Sequence, residues 1–202
     1  MNNLQNKTAG SYLTSALRGT PPLLAFLLFA AVSQGHDAER RGDRHGIRPP
    51  RVPAGLEVPA GNELASRATG VGVQIYVWTV NPTNATLASW VFKAPHAVLF
   101  ASSEEERGDV VGIHFAGPAW EGNDGSKVVG ARVAGVTVNS NAIPWLLLQA
   151  RTTSGAGIFT GTTYIQRLNT VGGLAPSTPG QVAGQEALAP YIADYFFYHG
   201  GP

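Results

Sequence analysis

From residue 52 onward, apolar residues come in short runs broken by Gly, Pro, Asn and Ser, and no stretch of twelve or more residues keeps the 3.6 period of a helix. Val71, Val73, Ile75 and Val77 alternate with Gly72, Gln74, Tyr76 and Trp78. That alternation predicts a strand with aliphatic side chains on one face, a mixed aromatic set on the other, and both faces at least partly covered. Asn81-Pro82-Thr83-Asn84 breaks this strand and Ser89-Trp90-Val91-Phe92 opens the next, as in a hairpin with a wide loop. Ala94-Pro95-His96 reads as an interruption before a short buried strand, Ala97-Val98-Leu99-Phe100. Residues 127–138 alternate through Val129, Ala131, Val133, Val136 and Val138. Ile143-Pro-Trp-Leu-Leu-Leu-Gln-Ala150 reads as a central strand with Pro144 at its mouth. Residues 164–168 form another strand, residues 170–184 a long Gly, Pro, Ser and Thr loop. Tyr191-Ile-Ala-Asp-Tyr-Phe-Phe-Tyr198 closes the pattern as a strand apolar on both faces except at Asp194. About eight strands at intervals of roughly 10 to 20 residues predict an all-β fold: a single-domain antiparallel β-sandwich or closed β-barrel.

Residues 112–130 concentrate the chemistry. Val110, Val111, Ile113 and Phe115 supply one strand, Asn123-Asp124-Gly125 supplies a turn that tolerates positive φ, and Val128-Val129 begins the return, so the stretch reads as a hairpin. His114, Trp120, Glu121 and Asp124 lie close together in it. An aromatic face that stacks on a sugar ring, with carboxylates that bond hydroxyls, would make a carbohydrate platform or an acid/base pair. The plainer alternative is that Trp120 is core, Asp124 bonds its own turn, and His114 is a satisfied interior imidazole. Gln166 and Arg167 complete the candidate surface, because a guanidinium pairs a carboxylate or phosphate bidentately.

Charge and leader change the picture further. The 202-residue chain is only 13% charged and has no cysteine, so neither disulfides nor thiolate metal sites hold it together. Lys7 and Arg18 precede an apolar run of ten residues, 23–32, followed by small residues. That run is too short to span a bilayer, so residues 1–35 are expected to be a signal peptide, with no membrane span after cleavage and a periplasmic or extracellular destination. Residues 36–51 mix Arg, Asp and Glu with Gly and Pro and are expected to form a charged disordered linker, leaving 52–202 as the all-β domain. From Val52 on, seven Lys and Arg stand against ten Asp and Glu, a net of −3, which argues against nucleic acid as a partner.

Other chemistries lack their signatures. His96, His114 and His199 are scattered singly, so no metal is expected. The acidic run Glu104, Glu105, Glu106 reads as a solvated turn, and no Gly-x-Ser-x-Gly or Ser-x-x-Lys is present. Gly70-Val-Gly72 and Gly155-Ala-Gly157-Ile-Phe-Thr-Gly161 lack the third glycine and the helix of a dinucleotide loop, so no cofactor is expected.

Five segments carry a resemblance: Gly72-Val-Gln-Ile-Tyr76; His114-Phe-Ala-Gly-Pro-Ala-Trp120 with Asp124-Gly-Ser126; Ile143-Pro-Trp-Leu-Leu-Leu148; Ile165-Gln-Arg-Leu-Asn-Thr-Val-Gly-Gly173; and Tyr191-Ile-Ala-Asp-Tyr-Phe-Phe-Tyr198. In this order they resemble the family known as domain of unknown function 3455, exported proteins of bacteria and fungi. The resemblance implies export and no defined activity. Some fungal members carry a malate dehydrogenase label, which the incomplete glycine loops do not support here. The functional expectation is an exported, non-catalytic binding or envelope-associated structural β-domain of unknown ligand, with a carbohydrate or cell-envelope component as the candidate. The alternative is a glycan-directed hydrolase using Glu121 and Asp124 with His114, which requires two carboxylates about 5–9 Å apart in one cleft.

Overall fold

The computed structural model describes residues 50–103 and 107–201; the expected signal peptide, nearly all of the linker, and the acidic triplet lie outside them. Eight strands follow in order: β1 (Asn62–Asn81), β2 (Asn84–Ala101), β3 (Val110–Phe115), β4 (Ala119–Gly122), β5 (Lys127–Val136), β6 (Trp145–Ser154), β7 (Thr162–Gly172) and β8 (Glu186–Gly200). Each pairs antiparallel with the next, and β8 pairs with β1, closing one sheet into a barrel. The all-β expectation therefore holds, and of its two forms the barrel is the one adopted. Closure leaves no open sheet edge along the paired lengths. Among the described residues no helix is long and apolar enough to cross a membrane.

Several local expectations are corrected. The turn between β1 and β2 is tight rather than wide, with Asn81 paired to Asn84 and the Asn81 carboxamide accepting from the Thr83 and Asn84 amides. Ala94-Pro95-His96 does not interrupt β2. Along residues 84–96 this strand pairs only with β1, because β3 joins it at Ala97, so Pro95 sits where β2 has an edge with no partner strand, the position in a sheet where proline is tolerated. The stretch 110–129 is two hairpins, not one: a turn with a cis Gly117-Pro118 bond separates β3 from the four-residue β4. β7 extends through Gly172, and the following loop begins later than its composition suggests.

The faces of β1 also invert the simple hydrophobic expectation. Gln74 and Tyr76 are buried inside the barrel, whereas Val71 faces outward beside Ile192 of β8, which pairs in turn with Val171 of β7; all three aliphatics are exposed. The interior is filled by Leu99, Trp120, Leu148, Ile165, Tyr195 and Phe197 among others, with Phe159 plugging one end against Phe197. Large rings need small neighbours: a Cβ on Gly70 would strike the Tyr195 ring, and one on Gly130 would press on Trp120.

A second, smaller core explains why β8 is apolar on both faces. Phe196, Tyr198 and Leu168 point outward but are covered by Val52 and Val58 of the segment preceding β1, together with Leu64, Trp145 and Tyr164. Gln166 fastens this segment, its amide donating to the Leu56 carbonyl at 2.6 Å and its oxygen accepting from the Tyr198 hydroxyl at 2.7 Å.

Candidate functional site

The connections β1–β2, β3–β4, β5–β6 and β7–β8 lie at one end of this up-and-down barrel, and that end holds a cavity of about 520 Å³. Its walls come from all eight strands and two of the connections, including Gln74 and Tyr76 of β1, Phe92 and Lys93 of β2, His114 of β3, Trp120 of β4, Arg132 of β5, Leu146 of β6, Arg167 of β7 and Tyr195 of β8. Ala116, Gly117 and Pro118 form one rim and Ile143-Pro144 another. The second rim is fixed to β7: the Ile143 amide donates to the Gly172 carbonyl, the Thr170 hydroxyl donates to the Ile143 carbonyl, and Arg167 donates through Nε and one Nη to the Pro144 carbonyl at 3.3 and 2.9 Å. A cavity of this size, partly apolar and with few polar groups, has the character of a small-molecule site.

His114 and Trp120 face each other directly across β3 and β4, and strand alternation sends both inward. Their rings stack at 4.4 Å between centroids, 10° from parallel, and Tyr195 packs edge-on to both. His114 is 2% exposed and its Nδ1 lies 2.8 Å from the Ala119 carbonyl, which can only accept, so Nδ1 carries the proton and Nε2 is left as an acceptor. Burial lowers its pKa from 6.5 to about 3, with the nearby Arg167 charge acting in the same direction against the Ala119 bond. The imidazole is neutral at physiological pH.

A polar ladder continues across the interior. The Tyr191 and Tyr195 hydroxyls are 3.0 Å apart, and burial raises both phenols above their ordinary range, Tyr195 by far the more. The Arg167 guanidinium sits beside Tyr195, its pKa pushed down chiefly by burial, opposed by the tyrosines and abetted by Arg132. Among the described residues Arg132 and Arg167 form no salt bridge, while Lys93 is paired with Glu186 at 2.6 Å. No carboxylate lines the cavity. Two further buried donors belong to lining residues: Trp120 Nε1, which has no partner, and Gln74 Nε2, which makes no well-formed hydrogen bond yet lies close enough to the Tyr191 hydroxyl to lower that phenol's pKa against burial.

Of the six candidate residues, the fold thus brings His114, Trp120 and Arg167 to one cavity and places the other three elsewhere. Gln166, next to Arg167 in sequence, points to the opposite face of β7 and binds the segment preceding β1, a strap on the barrel's outer face. Glu121 pairs with Lys127 at 3.3 Å, and both side chains are well exposed. Asp124 occupies the β4–β5 turn at the other end of the barrel. Its Oδ1 accepts from the Ser126 amide and hydroxyl at 2.9 and 2.6 Å, and its Oδ2 accepts from the Ile158 amide at 2.8 Å. Those bonds lower its pKa, with the Ser126 hydroxyl the largest cause. Neither carboxylate lines the cavity, so the geometry gives a glycan-hydrolase role no support. Trp78 and Trp90 pack edge to face with ring centroids 5.3 Å apart, and Trp90 Nε1 donates to the Thr178 carbonyl, pinning the β7–β8 connection instead of lining the cavity.

Sequence reasoning missed Gln74, Tyr76, Arg132 and Tyr195. The available signal was the even-numbered face of β1, where Gln74 and Tyr76 follow Gly70 and Gly72; only barrel closure makes that face interior.

A family model described as a protein of unknown function (DUF3455) matches residues 59–199, nearly the whole barrel. No curated protein and no solved structure matches the chain.

Proposed function

The chain belongs to the DUF3455 family of proteins of unknown function, and for this member we propose a non-catalytic binding role in which a small molecule enters one end of the barrel. The observation that carries the reading is the open cavity lined by the buried Trp120, whose Nε1 donor has no partner in the protein. A buried donor left unpaired costs about 1–3 kcal/mol, and a ligand that accepts from it recovers that cost. A catalytic reading would need a general acid or base, and the neutral His114, held through Nδ1 to a backbone carbonyl, stands without a lining carboxylate.

Export remains part of the proposal, resting on residues 23–32; the intact mass of protein released by the native host tests it, and a cell-retained form beginning at Met1 would count against it. Binding is tested with the neutral, environment-sensitive dye N-phenyl-1-naphthylamine. Saturable fluorescence enhancement that is weakened by Ala116→Trp, a bulky side chain at the exposed rim, is expected. No saturable binding of this dye or of a charged dye of the same shape, or binding indifferent to that substitution, would refute the role.

A further inference from the structure

The geometry points to an amphipathic organic anion as the ligand: an apolar body with one carboxylate or similar oxyanion, held by Arg167. This inference rests on the binding role proposed above and specifies its chemistry.

Arg167 is carried inward by β7. Two of its three nitrogens are committed to the Pro144 carbonyl, which fixes the guanidinium plane and leaves the remaining N–H groups without a carboxylate. A guanidinium held away from water is stabilised most by an oxyanion that meets its fork. The surrounding protein supplies none. The ionisable groups around it are Tyr195, whose hydroxyl lies within its hydrogen-bonding reach, Tyr191 and Tyr76, neutral His114, and a second cation, Arg132. The fold therefore places two positive charges at one cavity and repels cations from it, while the Lys93 ammonium at the wall is neutralised by Glu186.

The polar end of the cavity also offers N–H donors without a well-formed hydrogen bond, Trp120 Nε1 and Gln74 Nε2, both on side chains no more than 2% exposed. Such donors beside a cation match a group rich in lone pairs, not an ammonium or an apolar tail. Phe92, Pro95, Pro118, Leu146 and Leu148 form the remaining wall and suit an apolar body. A carboxylate on a hydrocarbon or aryl frame satisfies both halves, whereas an uncharged sugar leaves Arg167 without its anion.

The test compares two dyes of closely similar shape on the full-length protein: N-phenyl-1-naphthylamine, which is neutral, and 1-anilinonaphthalene-8-sulfonate, which adds one oxyanion. The anionic dye is expected to bind about tenfold tighter than the neutral one, a single charge-assisted contact's worth of discrimination. Arg167→Met should remove that preference, read as the ratio of the two dyes' affinities in the same variant, and Arg167→Lys should retain part of it. Because loss of the Pro144 contacts can disturb the rim, Arg132→Gln at an exposed position serves as a second variant and should lower the same ratio, and a ratio equal to wild type in both variants would overturn the assignment. Equal affinity of the two dyes in the wild-type protein, with both sensitive to Ala116→Trp, would overturn the anion assignment and leave the binding role standing. Absence of rim-sensitive binding by either dye would overturn both.

Discussion

Lowering the pH should destabilise this barrel through one imidazole. The buried His114 has a folded-state pKa of about 3 against 6.5 for a free histidine. Between those values the unfolded chain binds a proton that the folded barrel refuses, so stability falls as pH drops from 6.5 toward 3, by up to about 1.4 kcal/mol per pH unit. From pH 7 to pH 4 the loss assigned to this residue is about 3 kcal/mol, a large part of the 5–15 kcal/mol typical of a folded domain. The physical cause is burial first, with repulsion from Arg167 added. His114→Gln isolates the effect, because the amide can still donate to the Ala119 carbonyl but does not titrate. Urea unfolding of both proteins at pH 7 and pH 4 gives the double difference. The wild-type protein should lose about 3 kcal/mol more than the variant, equivalent to about 1–2 M in midpoint. Asp124 and the other carboxylates titrate in both proteins and cancel. Equal losses in the two proteins would refute the reasoning, whatever the variant's stability at pH 7.

Three other outcomes follow from the packing. Trp120→Ala removes a ring that meets His114, Tyr195 and Phe197 and should cost about 3–5 kcal/mol in urea unfolding; a cost below about 1 kcal/mol would show that the ring is not part of the core. Asp194→Ala takes away the acceptor of Arg67, Thr69 and Asn169 on the outer face and should cost about 2–3 kcal/mol, whereas Glu121→Gln, at an exposed ion pair, should stay within about 1 kcal/mol of wild type; thermal unfolding ranks the two, and the reverse order would contradict the structure. Gly72→Val should abolish folding, since a Cβ there meets the His96 carbonyl and the Ala97 backbone of β2; a soluble variant with wild-type circular dichroism would disprove that close approach.

The sequence by itself determined the class of fold, because period-two alternation and frequent Gly, Pro and Asn turns are local properties that survive without knowing what a strand packs against. It also marked Asn123-Asp124-Gly125 as a turn, and the Asp124 to Ser126 bonds are those of such a turn. The sequence further singled out His114, Trp120 and Arg167. Which faces point inward was decided only by closure. β1 puts Gln74 and Tyr76 in the interior and leaves Val71 exposed, contrary to hydrophobic ranking, because the β8–β1 pairing curls the sheet toward the even-numbered face. The neighbours Gln166 and Arg167 part company for the same reason: one residue's step along a strand moves a side chain from the strap outside to the cavity inside. Glu121 and Asp124 look like partners of His114 along the chain, yet alternation turns Glu121 outward and the up-and-down path carries Asp124 to the far end. The cavity joins residues from all eight strands separated by up to about 120 positions, a convergence that long-range pairing creates and that no local pattern encodes.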